Sequence, residues 1–439
     1  MSGKPSSRQH VSSRRLSRRG LLKLCGAGLV SGLLGGSKTL AQASAGGGRT
    51  PGDAERLRIG MVLPARSGGV RVDLDTQGLA GEGARRGAVM AEEDYGRPTA
   101  EGAPLEVLIS SAPDADAAFR AGQRLAGTEE VCALVGGFGK DQALALSKLA
   151  EEREILFINI GSADDELRDA RCESHTFHVE ASASMYLDAL VGAQADSGSQ
   201  GWFLLHDSSD EGRALYRRAQ GSLARWGGSE VGSIALGSPS ENLRALEAIS
   251  QSDAQIVLLL LDWRAQLDFL GHYEAQGLSQ IVSGFPYPVT QTRDFLASLV
   301  RAAPNSGVAA RISLWEPAGE PEAIELGERF VARWGLPIDP PAWAAYVSVG
   351  MLVEAVRRSG TLQGAALASE LKRSSGSMNL FKEAGTSFRP NDQQLRQSLF
   401  VVRPDPQAQN LREIVQVIDE LPPEQASAVG EASDVETGC

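Results

Sequence analysis

The feature that most constrains the fold is a repeated alternation of short apolar runs with segments of helical periodicity. The runs are nearly continuous, which is typical of parallel strands that helices cover on both faces. Between them apolar residues recur three and four positions apart, as at Ala143, Leu146, Leu149 and Ala150. The first set contains the predicted strands LRIGMVL (57–63), PLEVLIS (104–110), VCALVGG (131–137) and ILFINIG (155–161), with helices over 78–93 and 115–127.

The pattern restarts farther along the chain, which indicates a second unit of the same kind. Its predicted strands are GWFLLHD (201–207), EVGSIAL (230–236), QIVLLLLD (255–262) and QIVSGF (280–285), with helices over 211–226, 240–251 and 264–276. A length of 439 residues accommodates two domains of ordinary size. We therefore predict the α/β class, with two doubly wound lobes in tandem and a crevice between them. Ligands of open α/β sheets bind outside the carboxyl ends of the strands.

The first 43 residues have the organisation of an export signal. They contain eight Lys/Arg and no Asp or Glu, and their charged part ends at Lys23. Fourteen mostly apolar residues separate Lys23 from Lys38, whereas a membrane-spanning helix needs about 20. Ala41-Gln42-Ala43 is a small-x-small site of the kind that signal peptidase cleaves. Cleavage near Ala43 is therefore predicted, with a linker over 44–54.

The pair Arg18-Arg19 in the stretch SRRGLLK resembles the twin-arginine export signal. Leu22 stands where that signal more often has Phe. The resemblance implies export by the twin-arginine route and a periplasmic location. A basic cytoplasmic tail is the alternative interpretation of this segment.

The chain that remains after cleavage is strongly acidic. Removing the eight N-terminal Lys/Arg from the total of 43 leaves 35 against 55 Asp/Glu, a charge of about −20. Such a body repels phosphate groups, so we predict no nucleic-acid partner and no direct membrane insertion after signal cleavage. We expect residues 421–439 to form a disordered acidic tail.

Three cysteines remain once Cys25 leaves with the signal, so at least one thiol is free or pairs between chains. Cys132 with Cys172 is the one pair that we consider, and the separation that a disulfide requires cannot be read from the sequence. No bridge is claimed, and Cys439 is left unassigned.

Motifs for catalysis and metal binding are weak. The stretch 136–140 lies between a strand and a helix but lacks the spacing of a phosphate-binding loop. Cys172, His175 and His178 recur every three residues, yet their segment reads as a strand, in which 175 and 178 point to opposite faces. We therefore predict no catalytic residues, no metal, no cofactor and no enzyme activity.

Five stretches resemble the type I periplasmic solute-binding proteins of ABC importers, in the branched-chain amino acid and amide (leucine-binding-protein-like) group. The resemblance covers roughly residues 56–405. It is carried by LRIGMVLPARSG, LVGGFGKDQALALSKLAEEREILFINIGSADDEL, RCESHTFHVEAS, PAWAAYVSVGMLVEAVRRSGT and FKEAGTSFRPNDQQLRQSLFVV. Within the last stretch, F-R-P-x-x-x-Q-L-R-Q is similar to a subgroup linked to quinone-dependent alcohol oxidation, although Asn391 stands where Trp is frequent.

The resemblance implies two lobes joined by three hinge crossings, one over 55–178 plus 316–387 and one over 179–315 plus 388–420. It also implies a small-molecule ligand (an amino acid, an amide or a small carboxylate), an ABC permease as partner, and a monomer. The candidate ligand-binding residues follow predicted strands: Arg66, Ser67, Phe138, Gly139, Lys140, Asp141, Ser162, Ala163, Asp207, Asp262, Trp263 and Tyr287.

Several roles stay open at this point. Amino-acid-binding members tend to have Ser or Thr hydroxyls in the loop over 136–141, where this chain has Lys140 and Asp141. Lys140 is either an anion partner or, with Asp141, part of a solvated rim. Ser162 and Asp207 are either ligand contacts or helix caps. The rival functions are a periplasmic sensor or accessory protein of the same fold and an exported enzyme.

Overall fold

Runs of Leu, Ile and Val in the N-terminal part become the strands of a five-stranded parallel sheet with the order β2-β1-β3-β4-β5. The computed structural model describes residues 56–64, 76–96, 104–195, 200–373, 378–382, 386–423 and 439. The elements of this part are β1 (Leu57–Leu63), α1 (Thr76–Tyr95), β2 (Leu105–Ser111), α2 (Ala115–Gly127), β3 (Ala133–Gly136), α3 (Lys140–Arg153), β4 (Leu156–Asn159), a 3₁₀ turn (Asp165–Arg168) and β5 (Thr176–His178).

A second parallel sheet of four strands has the order β7-β6-β8-β9. Strand β8 is buried along its whole length, as its uninterrupted apolar run predicts. The elements are α4 (Ala183–Ala195), β6 (Gly201–Asp207), α5 (Asp210–Trp226), β7 (Ser229–Leu236), a 3₁₀ turn (Pro239–Glu241), α6 (Asn242–Ser250), β8 (Ile256–Leu260), α7 (Trp263–Gln276), β9 (Ile281–Gly284) and α8 (Arg293–Ala302).

The remaining chain contributes to both parts of the molecule. Its elements are β10 (Arg311–Ser313), α9 (Pro321–Trp334), α10 (Pro340–Ser359), α11 (Gly364–Arg373), β11 (Ser387–Phe388), β12 (Leu395–Arg396), β13 (Leu399–Pro404) and β14 (Val415–Leu421). Helix α10 packs on α1 beside the first sheet. A side chain at Gly87 would meet the carbonyl oxygen of Ala342 at 1.9 Å, so the close approach of these two helices requires glycine there. Strands β10, β13 and β14 form an antiparallel sheet next to α4 and α8.

The chain passes between the two parts three times: after β5, after β10 and after β12. Side-chain amides bind the first and third crossings together. Gln394 Nε2 donates to the carbonyl oxygens of His178 (3.3 Å) and Glu180 (3.2 Å), and Gln397 Nε2 donates to that of Val179 (2.7 Å). The Q-L-R-Q string (394–397) in the last of the five stretches therefore links the first crossing to the third.

A half-buried lysine connects the second and third crossings. Lys382 Nζ donates to the Leu314 carbonyl oxygen (2.6 Å), to Gln397 Oε1 (2.8 Å) and to the Ser398 carbonyl oxygen (2.7 Å). These three acceptors satisfy the three hydrogens of an ammonium group. The ring centroid of Trp343 lies 4.7 Å from Nζ and adds a cation–π contact.

The structure shows how the cysteines are paired. Cys172 is bridged to Cys439, with Cα atoms 5.4 Å apart, whereas Cys132 is a buried free thiol, so the pair Cys132–Cys172, which the sequence left open, does not form. The sequence cannot reveal this bridge because it joins residues 267 positions apart. Leu421 still belongs to β14 and Cys439 is in the disulfide, whereas residues 424–438 lie outside the described residues, so the acidic tail between them stays a prediction.

Strand β5 is shorter than its sequence suggests, and His175 precedes it. The signal peptide and the linker, residues 1–54, lie outside the described residues. None of the helices in the described part of the chain is long and apolar enough to cross a membrane.

Candidate ligand-binding cleft

A cleft opens where the carboxyl ends of strands from both parallel sheets face each other. It consists of two adjoining cavities of about 600 and 380 Å³, within the usual range of small-molecule sites. Residues common to both linings come from each sheet's loops: Gly139, Lys140, Gly161, Glu211, Tyr287 and Pro288.

The loop after β4 forms one wall, and a buried asparagine at the end of that strand holds it. Asn159 Oδ1 accepts from the backbone N–H groups of Gly161 (3.2 Å) and Ser162 (2.9 Å), while its Nδ2 donates to the Ser162 carbonyl oxygen (2.7 Å). A Cβ at Gly161 would lie 2.8 Å from the Phe138 ring, so the loops after β3 and β4 touch there. Sequence reasoning missed Asn159, because nothing distinguishes it from other polar residues that end strands.

A fully buried arginine fixes the same loop to the hinge. Arg168 donates from Nη1 to the Asp164 carbonyl oxygen (2.8 Å), from Nη2 to that of Glu180 (2.8 Å) and from Nε to Gln394 Oε1 (2.5 Å). Burial lowers the pKa of Arg168 to about 10, and the nearby charge of Asp165 opposes this effect. The group therefore remains charged at neutral pH and orders the loop without lining the cleft.

The opposite wall comes from the loops that follow β6, β8 and β9. Asp207 Oδ1 accepts from the backbone N–H of Ser209 (2.6 Å). Asp262 Oδ1 accepts from those of Arg264 (2.7 Å) and Ala265 (3.1 Å) and so caps α7. Both aspartates line the larger cavity. Asp262 is a helix cap as well, whereas Asp207 only braces the turn before α5, whose cap is Ser209.

Aromatic rings cover part of this second wall. The rings of Phe285 and Tyr287 meet edge to face with centroids 4.8 Å apart. The Arg264 guanidinium lies 4.3 Å from the centroid of Trp263. Trp263 and Tyr287 both line the larger cavity, where they offer apolar surface to a ligand.

Lys140 is held by the neighbouring loop of its own wall. Its Nζ lies 2.9 Å from Glu166 Oε1 and 3.4 Å from Asp164 Oδ2. Burial by itself lowers the pKa of Lys140, but the hydrogen bond to Glu166 and the charge of Asp164 outweigh it and raise this pKa. The sequence left Lys140 either as an anion partner or as part of a solvated rim. The structure shows a third arrangement, in which two carboxylates of the protein balance the charge of the lysine.

Glu211 projects from the first turn of α5 and lines both cavities. Desolvation in the cleft and the negative charge of Asp164 raise its pKa, which Lys140 partly offsets. Burial and the negative charges of Glu211 and Asp262 likewise raise the pKa of the Tyr287 phenol. Tyr287 is therefore neutral throughout the physiological range.

An ion pair joins the two walls at the rim of the cleft. Arg218 Nε on α5 lies 2.8 Å from Asp165 Oδ2, in the 3₁₀ turn after β4. The same oxygen accepts from Ser184 Oγ at the start of α4 (2.9 Å). The two parts of the molecule are therefore in direct polar contact across the cleft.

Most of the candidate residues lie in the cleft. Those in the larger cavity's lining are Phe138, Gly139, Lys140, Asp207, Asp262, Trp263 and Tyr287. Those in the smaller cavity's lining are Gly139, Lys140, Ser162, Ala163 and Tyr287. Asp141 is exposed at the start of α3, outside both linings. Arg66 and Ser67 lie outside the described residues.

The Cys-x-x-His-x-x-His spacing resolves into three separate environments. His175 Nδ1 contacts Glu151 Oε2 (2.9 Å), whereas His178 Nδ1 contacts Asn159 Nδ2 (3.0 Å). Cys172 is in the disulfide. Across the described ranges, no group of three or more His, Cys, Asp or Glu side chains is arranged to hold a metal ion.

Two α/β lobes with three crossings and a cleft between opposed strand ends define a two-lobed binding protein. The family profile described as periplasmic binding protein matches residues 57–409, and the chain belongs to that family. Its fold is the type I periplasmic-binding-protein fold. Members are binding proteins, and membership implies a periplasmic location, a small-molecule ligand and an ABC permease as partner.

Solved structures agree with this assignment at the level of the fold. A branched-chain amino acid ABC transporter periplasmic ligand-binding protein from Burkholderia xenovorans LB400 is 19% identical, with a TM-score of 0.74, covering 84% of this chain and 96% of its own. A leucine binding protein from Thermotoga maritima is 15% identical (TM-score 0.68; 84% and 99% covered). An R. palustris solute binding protein in complex with benzoate is 17% identical (TM-score 0.67; 84% and 97%). No curated protein is significantly similar in sequence.

Proposed function

We propose that this protein captures one small polar molecule in the cleft and delivers it to an ABC permease. The lobes would comprise 55–178 plus 316–387 and 179–315 plus 388–420, acting as a monomer. The observation that carries the proposal is the lining of one cleft by strand-end loops of both parallel sheets. Closure of the lobes around a ligand then changes the surface that a permease meets, so the function is a population shift without catalysis.

The same proposal includes the route to the periplasm. The paired arginines Arg18-Arg19 and the site Ala41-Gln42-Ala43 support twin-arginine export followed by cleavage. The ligand classes that the family suggests are amino acids, amides and small carboxylates. Solved relatives are described with isoleucine and with benzoate bound, which supports this range without narrowing it.

A melting-temperature screen of amino acids, amides, carboxylates and amines tests the proposal. A ligand at 100 times its dissociation constant adds about 2.7 kcal/mol of apparent stability, which raises the melting temperature by several degrees. Trp263→Ala removes apolar surface from the cleft and should abolish the shift. Trp334→Ala, which removes a similarly half-buried ring outside both cavity linings, is the matched control and should retain it. Equal shifts in the two variants would exclude the cleft as the ligand site.

A further inference from the structure

The acidic and basic side chains that line the cleft differ in number and in the contacts that they make within the protein. Acidic residues outnumber basic ones among the lining residues, seven to four. The acidic residues are Asp164, Asp165, Glu166, Asp169, Asp207, Glu211 and Asp262, and the basic ones are Lys140, Arg217, Arg218 and Arg264. The described lining therefore carries a net negative charge.

Three of the four cations already have a contact within the protein. Lys140 lies between Glu166 and Asp164, and Arg218 lies on Asp165. Arg264 stacks over the Trp263 ring. A ligand carboxylate that approached these groups would compete with protein partners already in place.

Three acidic side chains on the second wall are engaged differently. Asp207 and Asp262 each accept hydrogen bonds from backbone N–H groups through Oδ1. These hydrogen bonds do not occupy the second carboxylate oxygen, Oδ2. Glu211 has no ion pair with any described residue, and it lines both cavities. Carboxylates that converge in a partly desolvated cleft create a negative potential that attracts a cation.

Aromatic side chains line the same cavity as these acids. Trp263 and Tyr287 line the larger cavity together with Asp207, Glu211 and Asp262. The negative face of an aromatic ring attracts cations, and the attraction grows when water is excluded. A carboxylate beside a neutral aromatic ring therefore suits an organic cation better than an anion.

We propose that the ligand is an organic cation, an amine or a guanidine on a small apolar body, whose charge faces Glu211, Asp207 and Asp262. This inference rests on the proposed function, because it concerns the ligand of the same cleft. It differs from that proposal by excluding simple carboxylates as the preferred ligands.

Three probes with the same ring and different charges test the inference: benzylamine, benzyl alcohol and benzoate. Calorimetric titration of the mature protein should give benzylamine at least tenfold tighter binding than benzoate, with benzyl alcohol between them. Glu211→Gln should weaken benzylamine five- to tenfold and leave benzoate unchanged or slightly tighter. Asp210→Asn removes the same charge one residue away, from a side chain that is 99% exposed and outside both linings, and should change neither affinity.

The outcomes separate this inference from the proposal on which it rests. Benzoate that binds as tightly as benzylamine, or tighter, and loses its affinity in Trp263→Ala, would overturn the cation inference and leave the cleft as the ligand site. Equal losses of benzylamine affinity in Glu211→Gln and Asp210→Asn would overturn it too, since a general charge effect would then suffice. Binding of no probe, or binding that Trp263→Ala does not change, would count against both proposals.

Discussion

Glu180 is a buried carboxyl group at the first crossing between the lobes. Its Oε1 accepts a hydrogen bond from Tyr186 Oη (2.5 Å), and Tyr186 in turn accepts from Gln291 Nε2 (3.1 Å). Burial raises the pKa of Glu180 to about 8, although the Tyr186 hydrogen bond and the charges of Arg168 and Lys382 lower it. The carboxyl group is therefore largely protonated in the folded protein at neutral pH.

This raised pKa predicts a pH-dependent stability. The unfolded carboxyl loses its proton near pH 4.5 and the folded one near pH 8, so the folded state binds the proton more tightly. The contribution of the protonated Glu180 to the free energy of unfolding is fully present below about pH 4.5 and is lost as the pH rises towards 8. Glu180→Gln cannot titrate, so from pH 4.5 to 8 the wild type should lose about 2–4 kcal/mol relative to it. Parallel denaturant-unfolding free energies for both proteins over this range would show that Glu180 does not titrate as described.

Residues that organise the site from behind it were the hardest to predict. Phe138, Trp263 and Tyr287 follow predicted strands, and the strand-end rule for α/β sheets was enough to select them. Asn159 and Arg168 act through hydrogen bonds to backbone carbonyl or N–H groups that only the folded loop brings near. Their residue types and spacing give no sign of this role, because the partners of Arg168 include residues up to 226 positions away.

At the scale of elements, periodicity predicted the two parallel sheets well. The runs LRIGMVL and GWFLLHD coincide with β1 and β6, because each run is apolar over the length that the sheet buries. The predicted helix 115–127 coincides with α2, which Asp114 caps through the backbone N–H of Ala117 (2.7 Å). The pairing order of strands and the antiparallel sheet of β10, β13 and β14 depend on contacts distant in sequence, and periodicity does not encode them.

The N-terminal segment is an element whose function can be tested on its own. If Arg18-Arg19 directs twin-arginine export, replacing both with Lys should leave the uncleaved precursor in the cytoplasm, because the paired guanidinium groups are what the signal presents. Cell fractionation with immunoblotting measures this. As a control, Arg14-Arg15 replaced with Lys should leave export unchanged. Mature protein in the periplasm at the normal rate in the Arg18-Arg19 variant would show that another route is used.

For the whole molecule, the hinge and the cleft are one connected structure. Arg168 contacts the cleft loop at the Asp164 carbonyl oxygen and the hinge at Gln394. The Asp165–Arg218 ion pair joins the two walls directly. These contacts support the proposal that binding between the walls changes the angle between the lobes.

The central claim is that the cleft holds one small molecule between the two lobes. Native mass spectrometry of the mature protein, released from the periplasm and transferred to volatile buffer without refolding, tests it most directly. We predict the polypeptide mass plus one small molecule per chain, retained in Trp334→Ala and lost in Trp263→Ala. The polypeptide mass alone, or an added mass that Trp263→Ala leaves in place, would contradict the account.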